Sequence, residues 1–276
     1  MSSRARNRPP RLEPRVGNVQ PAPRPTPAQL LERAKVAGPS RAPGPRELRR
    51  LIERVVAGDR LAVGELGPIA NATLPGAWIA VHETFGATVD DSRIDPDRTL
   101  AATTGAAARI RAVGAAGGRI AIATAAPASL LPLLFAIARL ARGAGAHVID
   151  CADVGPMRAD GRSGRFLRWV DGVCAVTDGE ALCPTHDGAA AREWLFVVPR
   201  PALVIADGVF AEAAVSAGLE VVALAGLDRS ALALSIHAAL GLLVPMRTDR
   251  PPGAYTPVIA ALDPPDPDQA APRPEL

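Results

Sequence analysis

The sequence predicts an α/β protein, a three-layer sandwich built on a mostly parallel, Rossmann-like sheet, and three observations carry that expectation. From Arg119 onward, short uncharged runs such as Ile120–Thr124 and Ala202–Ala206 alternate with helical stretches, as in parallel strands covered on both faces. Hydrophobic residues make up 48% of the 276, enough for one sizeable core. The two ends are rich in proline and lack apolar periodicity, so the core belongs to the middle of the chain.

Taken in order, residues 1–44 read as a disordered Pro/Arg-rich tail, 45–262 as a single α/β domain, and 263–276 as a second disordered tail. Pro45 opens a helix whose side is lined by Leu48, Leu51, Ile52, Val55 and Val56. The stretch VHETFGATVDDSRIDP reads as loop. A second helix covers DPDRTLAATTGAAARIRAVGAAG, with Asp95 or Asp97 near its start and glycines at its end. Strands follow at Ile120–Thr124, His147–Cys151, Ala202–Ala206, Glu220–Leu224 and Leu242–Val244. Helices fall at Ser129–Arg142, Gly208–Ala217 and Asp228–Leu240, and AAAREWLFV forms one more. An insertion, GRFLRWVDGVCAVTDGEALCPTH, has turn residues Asp178 and Gly179 between two strand-like halves, which predicts a hairpin or edge strands.

The uncharged run Ile120–Ala138 has the length of a membrane span. Pro127 and Pro132 interrupt it, however, and Arg139 and Arg142 continue its helical pattern. A buried strand followed by a buried helix accounts for the whole run. The N-terminus MSSRARNRPP has no apolar core of a signal peptide, and a cytoplasmic, membrane-free protein is expected. Cys151, Cys174 and Cys183 form no CxxC pair, which points to reduced thiols rather than a zinc ribbon or a disulfide framework. Lys and Arg number 31 against 28 Asp and Glu, a formal charge of +3, with much of the basic excess in the first fifty residues. Nucleic acid is therefore not the expected partner, because the folded part lacks a basic and aromatic platform.

Ligands of parallel sheets bind beyond the carboxyl ends of the strands. The polar residues there are Thr124 and Ser129, Asp150 and Asp153, Asp207, and Asp228. Asp207, directly after ALVIA and before Gly208, suits a general base or metal ligand, with helix capping as the plainer alternative. Asp228, Thr124 and Ser129 carry the same plainer reading, although a helix N-terminus also attracts anions. The segment VTDGEALCPTHDG gathers Thr177, Asp178, Glu180, Thr185, His186 and Asp187, and His186 beside Asp187 could shuttle protons. His82 and Glu83 are weaker candidates, while His147 and His237 suit packing or a helix surface. No GxGxxG, Walker A, GxSxG or HExxH occurs.

The order of RIDPDRTLAA, IAIATAAPASLL, ARLARGAGAHVI, VDGVCAVTDGEALCPTHDG, PALVIADGVFAEAAVSAGLEVVAL, LDRSALAL and YTP, between Val81 and Val258, resembles a family of actinobacterial proteins labelled phosphatase. The resemblance implies a hydrolase acting on a small phosphorylated molecule. It places Asp207, His186 and Asp178 in catalysis, and Thr124, Ser129, Thr177, Thr185 and Asp228 in substrate binding. It leaves the cofactor open, a divalent metal included. The chain departs from the family at several places. Where the family tends to read Gly-His-Pro-Gly-Gly, residues 125–129 are Ala-Ala-Pro-Ala-Ser. His-Thr-His becomes Pro184, Thr185 and His186, Asp-His becomes Asp207 and Gly208, and Leu-Asp-Asp becomes Met246, Arg247 and Thr248, with Asp249 displaced. Of the family's histidine positions there, only His186 remains. The resemblance thus implies either an impaired phosphatase or an altered substrate; a noncatalytic binding protein is the alternative, and a nucleic-acid binder acting through its arginine-rich tail ranks below both.

Overall fold

The computed structural model describes residues 25–40, 42–236 and 241–263. In chain order its elements are α1 (Pro27–Arg33), β1 (Gly38–Pro39), α2 (Pro45–Val56), α3 (Arg60–Val63), α4 (Leu74–Phe85), β2 (Arg93–Ile94), α5 (Pro96–Ala115), β3 (Arg119–Thr124), α6 (Pro127–Gly143) and β4 (His147–Val148). There follow β5 (Val154–Ala159), β6 (Arg162–Val170), β7 (Val173–Thr177), β8 (Leu182–Cys183), α7 (Gly188–Val197), β9 (Leu203–Asp207), α8 (Gly208–Ser216), β10 (Val221–Ala225), α9 (Ser230–Ser235), β11 (Gly241–Pro245) and α10 (Thr256–Leu262).

A central mixed sheet runs β11-β10-β9-β3-β7-β6-β5, with β4 also pairing β3 and β8 also pairing β7. The pairs from β11 to β7 are parallel, and the meander β7-β6-β5 is antiparallel. Every residue of β7, β9 and β10 is buried, which is why these strands are continuous apolar runs rather than alternating ones. Helix α6 leads from β3 toward β4, whereas α8 leads from β9 toward β10 in the opposite direction along the sheet. Right-handed crossovers running in opposite directions lie on opposite faces. Accordingly α6 packs with α5 and α10, and α8 with α7, β9 and β10. The strand order reverses between β3 and β9, so the loops after these two strands diverge and leave a crevice.

Several expectations are corrected. Residues 27–33 of the supposed tail are a helix with a Thr26–Gln29 capping box, and Leu31, Val36 and Ala37 reach the core. The Thr26 hydroxyl and three apolar side chains within a polar, proline-rich stretch suffice to anchor it. VHETF is not loop but the end of α4, with Val81 and Phe85 fully buried. The insertion is not confined to the sheet edge, because β7 lies between β3 and β6. Its main hairpin turns at Asp171–Gly172, both at positive φ, and Asp160–Gly161 makes a second such turn. Asp178–Gly179 does separate strands, but the second, β8, has only two residues. The strand expected at His147–Cys151 is shortened to His147–Val148. The helix expected at Asp228–Leu240 is a 3-10 turn at Leu227–Arg229 and then α9; His237 and the residues after 263 lie outside the described ones. The run Ile120–Ala138 is β3 and most of α6, and no described helix is long and apolar enough to cross a membrane.

Candidate functional site

At the crevice between β3 and β9 a cavity of about 300 Å³ is lined by the loop Ala125–Ser129, Pro184, His186, Asp207, Asp228, Arg229, Thr248 and Asp249, among others. Larger hollows occur elsewhere, but this is the one where the strand order reverses and polar groups converge.

Asp207 ends β9 and is 2% exposed. Although it stands at the N-cap position of α8, its side chain caps nothing. Instead Oδ1 accepts the Ala125 N–H at 3.2 Å across the crevice, and the buried Thr124 hydroxyl stands near enough to favour its charged form. Burial raises its pKa to about 6, against the opposing pull of Thr124, the Ala125 amide and Arg229. Gly208, at φ +54°, lets the chain turn away at once; a Cβ there would come within 2.7 Å of the Ala125 Cβ. Asp207 and the β3 loop are thus built to fit each other.

That fit uses up the first two amides of the loop. The Ala125 N–H is taken by Asp207, and the Ala126 N–H by the Thr124 hydroxyl at 3.0 Å. Thr185 braces the loop from outside, its N–H donating to the Ala125 carbonyl at 3.0 Å. An anion-binding loop needs free amides pointing inward, and here the first two are satisfied internally. Ser129 lies on the first turn of α6 and lines the cavity.

Arg229 supplies the positive charge. Its Nη1 donates to Glu212 Oε1 at 2.6 Å, its Nη2 lies 3.4 Å from His186 Nδ1, and Asp228 is 3.7 Å from its Nε. Glu212 is 3% exposed, and burial raises its pKa, with Arg229 opposing. Arg229 therefore neutralises a buried carboxylate and still reaches the cavity wall. Sequence reasoning stopped one residue short of it, at Asp228; its signal was an arginine in the first turn after strand VVALA.

Of the residues expected at a site, Asp207, His186, Ser129 and Asp228 share this cavity. Thr124 is fully buried beneath it and touches Asp207. Asp178 is not on it: its carboxylate accepts the Glu180 and Ala181 N–H groups and pairs with Arg165 at 3.3 Å, holding its pKa down near 2. Thr177 closes the same turn through Ala181 and Gly179. Asp187 does not serve His186; its two oxygens cap α7 at Ala189 and accept the Asp160 N–H. Asp153 pairs with Arg168, and His82 binds the Ala87 carbonyl. Asp228 does not cap α9. Among the described residues, no group of three or more His, Cys, Asp or Glu side chains is arranged to hold a metal. Cys151, Cys174 and Cys183 are unpaired.

A family model described as Phosphatase matches residues 28–262. No curated protein and no solved structure matches the chain.

Proposed function

The chain belongs to this phosphatase family, and from that membership we propose that it binds a small phosphorylated molecule at the cavity between β3 and β9 while hydrolysing phosphate esters at close to background rates. The observation that carries the second half is the Asp207 carboxylate seated on the Ala125 amide. A bound phosphate would want that amide, and it is taken; the same bond fixes the carboxylate through one of its two oxygens and turns it toward the loop. The first half rests on Arg229 and His186, 3.4 Å apart, and on Ser129, all lining the same cavity. On the resemblance drawn above, the family's loop carries an imidazole and glycines where this chain has Ala125, Ala126, Ala128 and Ser129. General acid–base groups contribute roughly 100- to 10,000-fold each and oxyanion donors a comparable factor, so the combined loss is large.

The doubly wound, Rossmann-like description of the sheet is part of the same proposal and draws support from the reversal at β3 and β9. The unpaired cysteines favour a reducing, cytoplasmic setting. A metal is left out, because the three carboxylates lining the cavity are engaged: Asp207 by the loop, Asp228 by Arg229 and Asp249 by Arg250. Nucleic acid is likewise not the partner on this reading.

A second reading has one observation in its favour. A carboxyl with a pKa of about 6 is poised for acid–base work near neutrality, and on that reading substrate phosphate would displace Asp207 from Ala125. Turnover of common phosphomonoesters by the purified chain, with and without divalent metal and compared with Asp207→Asn, separates the two. Background rates for both proteins support the binding reading, and robust turnover abolished by the substitution supports catalysis.

A further inference from the structure

Beside the strand-end cavity lies a groove of about 930 Å³ between the N-terminal segment and the loop after β11. Asp228, Thr248 and Asp249 line both hollows, so the two adjoin along that loop. The groove has an apolar floor of Leu51, Ile94 and Leu227 and several charged groups on its walls. Most of the charges are already paired. Glu32 faces Arg93 at 3.5 Å, Asp228 faces Arg229 at 3.7 Å and Asp249 pairs with Arg250, while Glu47 is held only by the Gly44 N–H.

Two cations are left over. Arg247 bonds only to the backbone carbonyls of Lys35 and Pro39, and its buried Nε has no partner among the described residues. Burial and then Arg250 make its charge costly, with Asp249 opposing. Lys35, the chain's single lysine, has no carboxylate within ion-pair distance among the described residues. Tyr255 fixes this wall, donating to the Arg247 carbonyl at 2.9 Å and accepting the Arg250 N–H at 3.1 Å. A wall fixed at Arg247, with the exposed Lys35 ammonium beside it and neither in an ion pair among the described residues, offers an anion charge-assisted contacts.

We propose that the groove is the second half of the ligand site, and that the ligand is a phosphorylated molecule carrying a second anionic group at its far end, received by Lys35 and Arg247. This rests on the strand-end cavity holding the first phosphate. A hexose-sized body suits the groove's volume and its partly apolar floor.

The test is calorimetric binding to the full chain of three probes: inorganic phosphate, fructose 6-phosphate and fructose 1,6-bisphosphate. The bisphosphate is expected to bind about tenfold or more tightly than the monophosphate, the worth of one charge-assisted contact. Lys35→Gln leaves the Arg247 bonds to backbone intact and should erase most of that preference without changing monophosphate affinity; Arg247→Gln should do the same if it folds. As a second readout, the bisphosphate but not the monophosphate should protect Lys35 from amine acylation, read by peptide mapping. Equal affinities for the two sugars, with phosphate binding retained and weakened by His186→Ala, would overturn the groove and leave the strand-end cavity standing. Bisphosphate binding weakened by Lys35→Gln but untouched by His186→Ala would keep the second anion site and overturn the strand-end reading. Failure of all three probes to bind overturns both.

Discussion

Asp207→Asn should stabilise the protein at neutral pH and do so less and less as the pH falls. The carboxyl is 2% exposed and its folded pKa is about 6, whereas an unfolded aspartate titrates near ~3.9. Between those values the folded state holds more protons than the unfolded one, so stability declines as the pH rises through that window. Two pKa units at about 1.4 kcal/mol each give a penalty of about 3 kcal/mol, fully present above pH 6 and absent below the unfolded value. Asparagine is neutral throughout and keeps an oxygen for the Ala125 N–H. The variant is therefore expected to exceed the wild type by about 2 to 3 kcal/mol at pH 8 and to match it near pH 4. Urea unfolding of both proteins across this range supplies the difference directly, and comparing the two cancels the other titrating groups. A variant less stable than wild type at pH 8, or a difference independent of pH, would refute the placement of a buried, proton-hungry carboxyl at the end of β9.

Three further outcomes are expected. Gly208→Ala should cost about 1 to 3 kcal/mol, because it combines a left-handed backbone with a contact at 2.7 Å to the Ala125 Cβ, and thermal melting would show it. Arg229→Met should cost about 3 kcal/mol by stranding the Glu212 carboxylate, and adding Glu212→Gln should recover most of that; equal stability of the single and double variants would count against the pair. Leu31→Ala should cost about 2 to 4 kcal/mol, since the side chain is fully buried; a neutral effect would mean that α1 is not part of the core.

The parallel half of the fold was legible because a strand covered on both faces must be apolar throughout. IAIAT, ALVIA and VVALA have few other ways to bury themselves. The antiparallel half was less so. Asp160–Gly161 and Asp171–Gly172 are the Asp-Gly pairs that two-residue hairpins favour, yet only Asp178–Gly179 was read as a turn; it does separate β7 from β8, but the two longer hairpins lie at the other pairs. Helix α1 escaped notice because two turns carrying a single buried leucine have almost no periodicity; its capping box was the available signal. At the site, strand-end geometry singled out Asp207, but no property of the sequence says which way a buried carboxylate turns. Its engagement with Ala125 rather than with α8 is a tertiary choice, set by the loop from β3. Arg229 and Arg247 were hidden for a related reason: in a chain with this many arginines, only burial separates those that matter.

The most direct measurement of the central claim is steady-state hydrolysis of a panel of small phosphomonoesters by the purified wild-type chain and by Asp207→Asn, with and without added divalent metal, alongside binding of inorganic phosphate. The structure predicts measurable phosphate binding with turnover indistinguishable from background in both proteins. Robust wild-type hydrolysis that disappears in Asp207→Asn would contradict it, and would mean that Asp207 leaves the Ala125 amide to act on the substrate.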